Sequence, residues 1–403
     1  MTFTIRSYIA QDGERFSLLF SPGDLGAPMV YPTAFISHKL RIHKTHETQK
    51  AALDAIRRLS QWELDRGISV VDRLMAGTLL TVTDVDSLAQ HVRSSRHGKK
   101  GTVISSDKFN SHWTFIQQYI AWLTDILLPN ADDANVRALV GDQAERLKKK
   151  ALHRSGSDAR RRQQILNEKL PESARVELLS IFNDPFQGLI GSTHYGTRLR
   201  NVAMIRILYE TGMRRGELLS LKLKHFIEAS GGQSAYLVIE RNHNDELDRR
   251  ANQPVAKTLG RAVPITEGLE SQLLQYKAYH RAELANVSFS DEGFLFCVHT
   301  GRTEGQPLTM GGFSTAFENF LKHFPILSKA LHPHALRHDW NYRFSQHADK
   351  LGMSEEEEIE AREESMGWIP DSSMAKVYNL RHRREKAMAI GRVVARDTER
   401  PAK

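Results

Sequence analysis

The sequence predicts a mainly α-helical protein with a small β-sheet, divided into more than one domain. Apolar residues recur at helical spacing through most of the chain, whereas the β-rich segments are short. The length of 403 residues exceeds what one hydrophobic core usually supports. Hydrophobic residues make up 40% of the chain, and no apolar run reaches the roughly 18 residues of a membrane span. We therefore expect a globular protein with no membrane partner.

The N-terminal part predicts a small β-rich segment followed by a helical domain. The run "MTFTIRSYIAQDGERFSLLF" alternates apolar and polar residues and lacks the layout of a secretory signal. "THETQKAALDAIRRLSQWELDRG" predicts a helix that starts after Thr45 and stops at Gly67. The aromatic run "SHWTFIQQYIAWLTDILL" predicts a helix buried in a core rather than a base-stacking surface. The expected parts are an N-terminal arm (1–40) and a helical domain (41–164) that ends in a basic linker.

A second domain, residues 165–403, is predicted to mix helices with two strands. "TRLRNVAMIRILYETGMRRGELLSLKLKHF" predicts two helices joined at Thr211 and Gly212. "SAYLVIE" (234–240) and "RAVPIT" (261–266) are β-rich and separated by a long polar loop, which indicates a hairpin-like sheet. Helix returns after "GFLFCV" and continues to the C-terminal tail.

The charge distribution favours a polyanionic partner. The net charge is +8 and the isoelectric point is near 9.4, which is typical of proteins that bind nucleic acid. The single cysteine, Cys297, excludes an internal disulfide and a multi-cysteine zinc site, so a reducing cytoplasm is expected. Lysine and arginine gather in three runs: "KLRIHK" (39–44), "RSSRHGKK" (93–100) and "RLKKKALHRSGSDARRR" (146–162). Each of these basic runs could also be a solvated face of the protein and not a binding surface.

The run "LHPHALRHDW" (331–340) could hold either a metal ion or a phosphate. His334 and His338 have the i, i+4 spacing of a metalloprotease helix, but the glutamate of H-E-x-x-H is missing. Arg337 between them would repel a dication. His334 and Arg337, at i and i+3, would instead project two donors suited to a phosphate oxygen. The sequence thus favours a phosphate and predicts no metal site and no cofactor.

The run "TGMRRGELLSL" places Arg214 at the start of a predicted helix. Backbone N–H groups at such a position also favour an anion. Glu217, one turn later, could orient the arginine, although a surface ion pair between the two would explain the same pattern. Taken alone, this stretch leaves both interpretations open.

Four runs in order resemble the catalytic motifs of the tyrosine recombinases, the phage integrase family: "TGMRRGELLSL", "KTLGRAVPIT", "HALRH" and "MGWIPDSSMAKVY". The resemblance covers roughly residues 170–385. It implies a helical core-binding domain and an α+β catalytic domain that clamp DNA between them. It also implies two supporting residues, Glu217 and His338. The catalytic residues that it implies are Arg214, Lys257, His334, Arg337, Trp368 and Tyr378.

Two assignments, Lys257 and Tyr378, have rivals. Lys257 follows an unusually long loop (241–256), so Arg241 and Arg261 compete with it. The interval from Trp368 to Tyr378 is one residue longer than is common in the family. Tyr342 is the alternative nucleophile because it lies two turns beyond His334 on the same predicted helix.

The resemblance implies a site-specific recombinase that breaks and rejoins DNA strands. Arg214 and Arg337 would stabilise the phosphate, Tyr378 would attack it, and Lys257 would protonate the departing 5′ oxygen. Implied partners are double-stranded DNA sites, a homotetramer on DNA and accessory DNA-binding proteins. A regulator without chemistry and a type IB topoisomerase remain alternatives. The expected DNA-binding residues, all basic, are Arg96, Lys99, Lys100, Lys148, Lys149 and Lys150.

Overall fold

The computed structural model describes residues 2–23, 26–95, 101–130, 132–153, 169–189 and 194–396. The chain divides into two compact units, Met1–Gly156 and Ser157–Lys403, and each has its own hydrophobic core. Within the described ranges, no helix is both long enough and apolar enough to cross a membrane.

The first unit packs a β-hairpin and several helices around one core. Antiparallel strands pair with Thr4 opposite Phe20 and Ile9 opposite Arg15. These strands are β1 (Thr4–Ile9) and β2 (Arg15–Phe20). The helices are α1 (Val30–Phe35), which continues as a π-helical turn over Ile36–Leu40, α2 (His46–Arg66), α3 (Val70–Met75), α4 (Val82–Arg93), α5 (Ser106–Leu127) and α6 (Ala134–Lys149).

Local sequence signals explain the helix ends and the buried face of this unit. Gly67 ends α2 in the left-handed conformation, with φ of 66°, which glycine adopts without steric cost. Trp113 and Trp122 of α5 are buried, as the aromatic run predicts. Phe3 and Leu19 belong to the same core as these helices. The predicted small β-rich segment therefore packs against the helices of this unit through these residues.

The second unit surrounds a central helix, α8, that is buried on nearly every side. A helix that presents no broad face to solvent must lie inside a core, and the neighbouring helices cover α8. The helices of this unit are α7 (Glu172–Asn183), α8 (Tyr195–Thr211), α9 (Arg215–Ser220), α10 (Glu267–Tyr276), α11 (Met310–Leu321), α12 (Pro325–Ala330), α13 (Pro333–Lys350), α14 (Glu355–Met366) and α15 (Ser373–Arg396), with a 3-10 turn at Leu223–His225 and a π-helical turn at Lys277–Arg281.

A small antiparallel sheet lies in the second unit in the order β3-β4-β5. Strands β4 (Tyr236–Ile239) and β5 (Arg261–Pro264) confirm the predicted hairpin-like sheet, and Ile239 pairs with Arg261. A two-residue strand, β3 (Phe226–Ile227), was not expected from the sequence. The last residues of the long loop between β4 and β5 contact α9, where Thr258 forms a hydrogen bond with Glu217. This contact places the end of the loop at the site described below.

Candidate active site

A tight turn between α8 and α9 fixes the position of Arg214. Gly212 ends α8 with φ of 61°, and a Cβ there would lie 2.8 Å from the ring of Trp340. Both the backbone conformation and the close packing therefore require glycine. Arg214 becomes the N-cap residue of α9, and its backbone N–H donates to Glu217 Oε2 over 3.0 Å. Its side chain remains 34% exposed, so the guanidinium is accessible to an anion that binds at the protein surface.

Glu217 is completely buried and holds a set of donors together. Arg261 Nη2 donates to Oε2 over 3.0 Å, and Thr258 Oγ1 donates to Oε1 over 2.7 Å. Burial raises the pKa of the Glu217 carboxyl, but the charge of Arg261 and the hydrogen bonds from Arg214 and Thr258 outweigh burial and lower it. Glu217 is therefore an ionised anchor. Arg214 Nη1 lies 3.5 Å from Glu217 Oε1, so the two residues do form an ion pair, but its carboxylate is inside the protein and not at the surface.

Arg337 is buried on α13, and one end of its guanidinium has no partner among the described residues. Nη1 donates to the Gly212 carbonyl over 2.6 Å. Nη2 is also buried and meets no hydrogen-bond partner in the described ranges. Burial, together with the nearby charge of Arg214, lowers the pKa of Arg337 to about 9, so the group stays protonated at neutral pH. An unmatched buried donor is unfavourable by roughly 1–3 kcal/mol, which an incoming anion would relieve.

Trp368 supplies a second unmatched donor beside Arg337. Gly367 ends α14 in the left-handed conformation, and its carbonyl accepts from Leu259 N over 2.8 Å. This hydrogen bond fixes the chain just before Trp368, whose indole is 7% exposed. The indole Nε1 is buried and has no hydrogen-bond partner within the part of the chain that the structure describes. The Arg337 guanidinium carbon lies 5.4 Å from the indole ring centroid, so the two unmatched groups are neighbours, and we call their immediate surroundings the pocket.

Tyr378 lies against this pocket. It projects from α15, is 4% exposed, and its ring stacks on Trp368 with centroids 6.0 Å apart and an interplanar angle of 12°. The hydroxyl forms a hydrogen bond of 2.8 Å with His338 Nδ1. The Arg362 guanidinium carbon lies 5.4 Å from the tyrosine ring centroid. A buried tyrosine hydroxyl thus lies within the group formed by Arg337, Trp368 and His338.

The capping geometry of α13 places its histidines. His332 is the N-cap residue, and its Nδ1 accepts from Ala335 N over 3.1 Å. His334 remains exposed, and its ring contacts that of His338 edge to face, with centroids 4.2 Å apart. Within the described ranges, no group of three His, Cys, Asp or Glu side chains could hold a metal ion.

Lys257 is exposed in the loop between β4 and β5, directly before the buried Thr258 that binds Glu217. Its two rivals are engaged elsewhere. Arg241 donates from Nε to His243 Nε2 over 3.1 Å. Arg261 uses Nη2 for Glu217, Nη1 for Thr258 and Nε for the Ser365 carbonyl. These hydrogen bonds favour the exposed Lys257 over the two arginines.

The alternative nucleophile, Tyr342, has different neighbours from Tyr378. It is half-buried, its hydroxyl accepts from Gln346 Nε2 over 3.2 Å, and Lys169 Nζ lies 5.2 Å from its ring centroid. These neighbours differ from the stacking on Trp368 and the hydrogen bond to His338 that place Tyr378 in the pocket. The difference favours Tyr378 as the nucleophile.

The basic residues expected to bind DNA are only partly described. Lys148 and Lys149 are exposed near the end of α6. Lys148 Nζ lies 3.4 Å from Glu145 Oε1, and Lys150 Nζ lies 2.5 Å from Asp86 Oδ1. Three further expected residues lie outside the described ranges: Arg96, Lys99 and Lys100.

The structure adds two residues that the sequence analysis did not assign to the site. Thr258 binds Glu217 directly. Arg362 is fully buried, forms an ion pair with Glu358 and donates from Nη1 to Asn341 Oδ1 over 2.9 Å. The i, i+4 spacing of Glu358 and Arg362 predicts an ion pair. Because the pair lies in an acidic run, the sequence does not indicate that Arg362 is buried against Tyr378.

Comparisons with known proteins show a family match for part of the chain and a shared fold. Residues 181–351 match the phage integrase family. No curated protein sequence matches the chain. The XerH site-specific recombinase bound to difH substrate, in a pre-cleavage complex, is 17% identical with a TM-score of 0.50, and the match covers 82% of this chain and 76% of XerH.

The Tn1549 transposon integrase in complex with transposon right end DNA is 18% identical with a TM-score of 0.52, and the match covers 88% of this chain and 98% of the integrase chain. At this identity the likeness shows a shared fold. The family match spans Arg214, Lys257, His334 and Arg337 but ends before Trp368 and Tyr378. Residues 181–351 match the phage integrase family, and the chain shares the fold of the XerH recombinase and the Tn1549 integrase.

Proposed function

We propose that the protein is a site-specific DNA recombinase that breaks and rejoins strands through a 3′-phosphotyrosyl intermediate. One observation carries the proposal: the buried Tyr378 hydroxyl lies in a pocket with two buried N–H donors, Arg337 Nη2 and Trp368 Nε1, that have no acceptor in the described ranges. A phosphodiester becomes more negative as a nucleophile adds to it, so donors fixed in advance stabilise the transition state most. A scissile phosphate would satisfy both donors.

In the proposed reaction, Arg214 and Arg337 bind the non-bridging oxygens, and the exposed His334 adds a further donor. Arginine suits this role because its planar fork matches phosphate and stays charged. Tyr378 attacks phosphorus in line, and Lys257 gives a proton to the departing 5′ oxygen. The phosphotyrosyl bond keeps the energy of the broken bond, so rejoining requires no nucleotide hydrolysis. Glu217 and His338 are the supporting residues of this catalytic set.

The proposed partner is double-stranded DNA with two recombination sites. The XerH and Tn1549 integrase structures both contain DNA, and the net charge of +8 agrees with a polyanionic partner. We assign 41–164 as a DNA-binding domain that clamps DNA with the catalytic part, 165–403. We further propose a homotetramer on DNA, assisted by accessory DNA-binding proteins, acting in the bacterial cytoplasm.

The decisive experiment uses nicked suicide duplexes tiled across the DNA that flanks the coding region. The wild-type protein should accumulate a covalent protein–DNA adduct, and peptide mapping should locate it at Tyr378. Tyr378→Phe removes one oxygen, so DNA binding should persist while the adduct disappears. Tyr342→Phe is the matched control and should keep the adduct.

Three outcomes would contradict the proposal. An adduct at Tyr342 would reassign the nucleophile. Binding without any adduct would indicate a regulator without chemistry. Relaxation of supercoiled DNA without a recombinant product would indicate a type IB topoisomerase.

A further inference from the structure

Arg362 of α14 lies against the ring of Tyr378. Its side chain is fully buried. Its guanidinium carbon lies 5.4 Å from the Tyr378 ring centroid and 4.7 Å from the ring centroid of Phe344. An aromatic ring attracts a guanidinium over its face, and the attraction grows where water is excluded. Arg362 is therefore a direct neighbour of the ring that carries the proposed nucleophile.

Hydrogen bonds from two helices hold the guanidinium in place. Nη1 donates to the carbonyl of Asn341 over 3.1 Å and to its Oδ1 over 2.9 Å. Nη2 donates to Ser345 Oγ over 2.7 Å and to Glu358, the ion-pair partner of Arg362. Because the guanidinium is a rigid planar fork, bonds to both terminal nitrogens fix its orientation as well as its position. The surface that it presents to the Tyr378 ring is thus fixed by α13 and α14.

Tyr378 lies in a small cluster of buried apolar residues together with Met366, Trp368 and Ala375. This cluster is separate from the large core cluster of the second unit. A ring in so small a cluster has few neighbours that fix its position, so the loss of one neighbour should leave it freer to move. The indole of Trp368 and the guanidinium of Arg362 are two of those neighbours.

We infer that Arg362 is a positioning residue for the nucleophile: its guanidinium holds the Tyr378 ring in the orientation from which the hydroxyl attacks phosphorus. The inference rests on the proposed function and adds a residue that acts through the tyrosine ring. Arg214 and Arg337, by contrast, are proposed to bind the phosphate itself.

The role of Arg362 is one of position, because Glu358 offsets its charge. Glu358 is fully buried, forms the ion pair with Arg362 and accepts from Ser345 Oγ over 2.9 Å. A paired guanidinium and carboxylate exert a smaller field on the tyrosine oxygen than a lone cation would. Orientation matters more, since in-line attack tolerates little displacement and a shift of about 1 Å can slow a reaction by about 10².

The first test removes Arg362 without leaving an unpaired charge. Arg362→Met alone would strand the buried Glu358 carboxylate and destabilise the fold, so the variant is Glu358→Gln/Arg362→Met. On the suicide duplex that traps the wild-type protein, this variant should bind DNA with the wild-type affinity. At saturating DNA it should form the adduct about 10²-fold more slowly. A wild-type rate would overturn the inference.

The matched control is Arg206→Met/Glu210→Gln, which removes another i, i+4 ion pair beside an aromatic ring of the second unit. Arg206 Nε donates to Glu210 Oε1 over 2.7 Å, and its guanidinium carbon lies 5.7 Å from the Phe182 ring centroid. The control keeps Arg362 beside Tyr378, so the adduct should form at the wild-type rate. Equal losses in the two variants would show a general effect of lost stability and would overturn the positioning role.

The second test observes the ring without DNA. Tyr378 is replaced by 3,5-difluorotyrosine, whose two fluorine nuclei give separate NMR signals while the ring is held and one averaged signal when it flips rapidly. With the wild-type neighbours the protein should give two signals, and Glu358→Gln/Arg362→Met should give one. Two unchanged signals in that variant would overturn the inference whatever the cleavage rate, because the ring would still be held.

The outcomes separate this inference from the proposed function. If the wild type forms no adduct at Tyr378, the proposed function fails and the inference that rests on it fails too. If the adduct forms and Glu358→Gln/Arg362→Met forms it at the wild-type rate, only the role of Arg362 fails. Arg362→Lys completes the series: it keeps the charge but lacks the planar fork, so its rate should lie between those of the wild type and the double variant. A rate for Arg362→Lys equal to that of the wild type would show that the fork does not position the ring.

Discussion

Two adjacent clusters of buried polar groups differ in how fully they are satisfied. In the Glu217 cluster, each nitrogen of the Arg261 guanidinium has an acceptor, and the carboxylate has several donors. In the Tyr378 pocket, Arg337 Nη2 and Trp368 Nε1 have no acceptor among the described residues. Satisfied buried charge stabilises a fold, whereas unmatched buried donors are unfavourable until a ligand supplies acceptors. The difference distinguishes the scaffold from the proposed reacting site.

The largest effect is expected for Arg337→Ala. This change removes a charge and more than one hydrogen bond from the phosphate, and since each such donor contributes about 10² to 10³, cleavage should fall by roughly 10⁴. The rate of covalent adduct formation on a suicide substrate measures this loss of cleavage. The control is Arg215→Ala, because Arg215 Nη1 donates to Ser314 Oγ over 2.9 Å, away from the pocket. Equal losses in both variants would break the distinction between scaffold and site.

Lys257→Ala should slow cleavage of ordinary DNA by about 10² to 10⁴, the usual contribution of a general acid. Replacing the scissile 5′ oxygen by sulfur should restore most of the rate, because a thiolate leaves without a proton. Arg241→Ala and Arg261→Ala should show no such selective rescue. Selective rescue of either arginine variant would transfer the acid role to that arginine.

Glu217→Ala should destabilise the protein by about 3 to 5 kcal/mol, because it leaves Arg261 buried without its carboxylate. Arg337→Ala should reduce the free energy of unfolding by less, since the removed group was only partly satisfied. Urea unfolding of these two variants and the wild type measures the difference. A larger destabilisation by Arg337→Ala would reverse the comparison.

Trp368→Phe should keep the stacking on Tyr378 and remove the indole N–H. Cleavage should fall by about 10², the effect of one donor to the developing charge. Trp368→His restores an N–H and should recover part of the rate. A wild-type rate for Trp368→Phe would show that the unmatched indole does not serve the phosphate.

The smallest effect concerns DNA affinity at the end of α6. Reversing the charge of Lys148 and Lys149 should make the slope of log K against log salt shallower by about 0.9 for each phosphate that the protein no longer neutralises. Lys322→Glu, in the second unit, is the control for charge alone. An unchanged slope would remove this segment from the DNA interface.

The sequence by itself determined the elements and the order of the motifs. Helical periodicity predicted α2 and α5, and Gly212 predicted the break after α8. These signals are readable because each depends on residues within a few turns of each other. The four motifs likewise predicted Arg214, Arg337 and Tyr378 as catalytic residues, through local residue patterns that resemble those of the family.

Tertiary structure decided which polar groups meet and which remain unmatched. The hydrogen bond between His338 and Tyr378 joins residues 40 positions apart, and Arg261 reaches Glu217 across 44. Local periodicity contains no information on such pairs, because burial and hydrogen bonding between distant segments depend on the packing of the whole unit. The same reason left Lys257 with two rivals in the sequence. The fold favours Lys257 over these rivals, because Arg261 is bound to Glu217 and Arg241 to His243, whereas Lys257 is exposed.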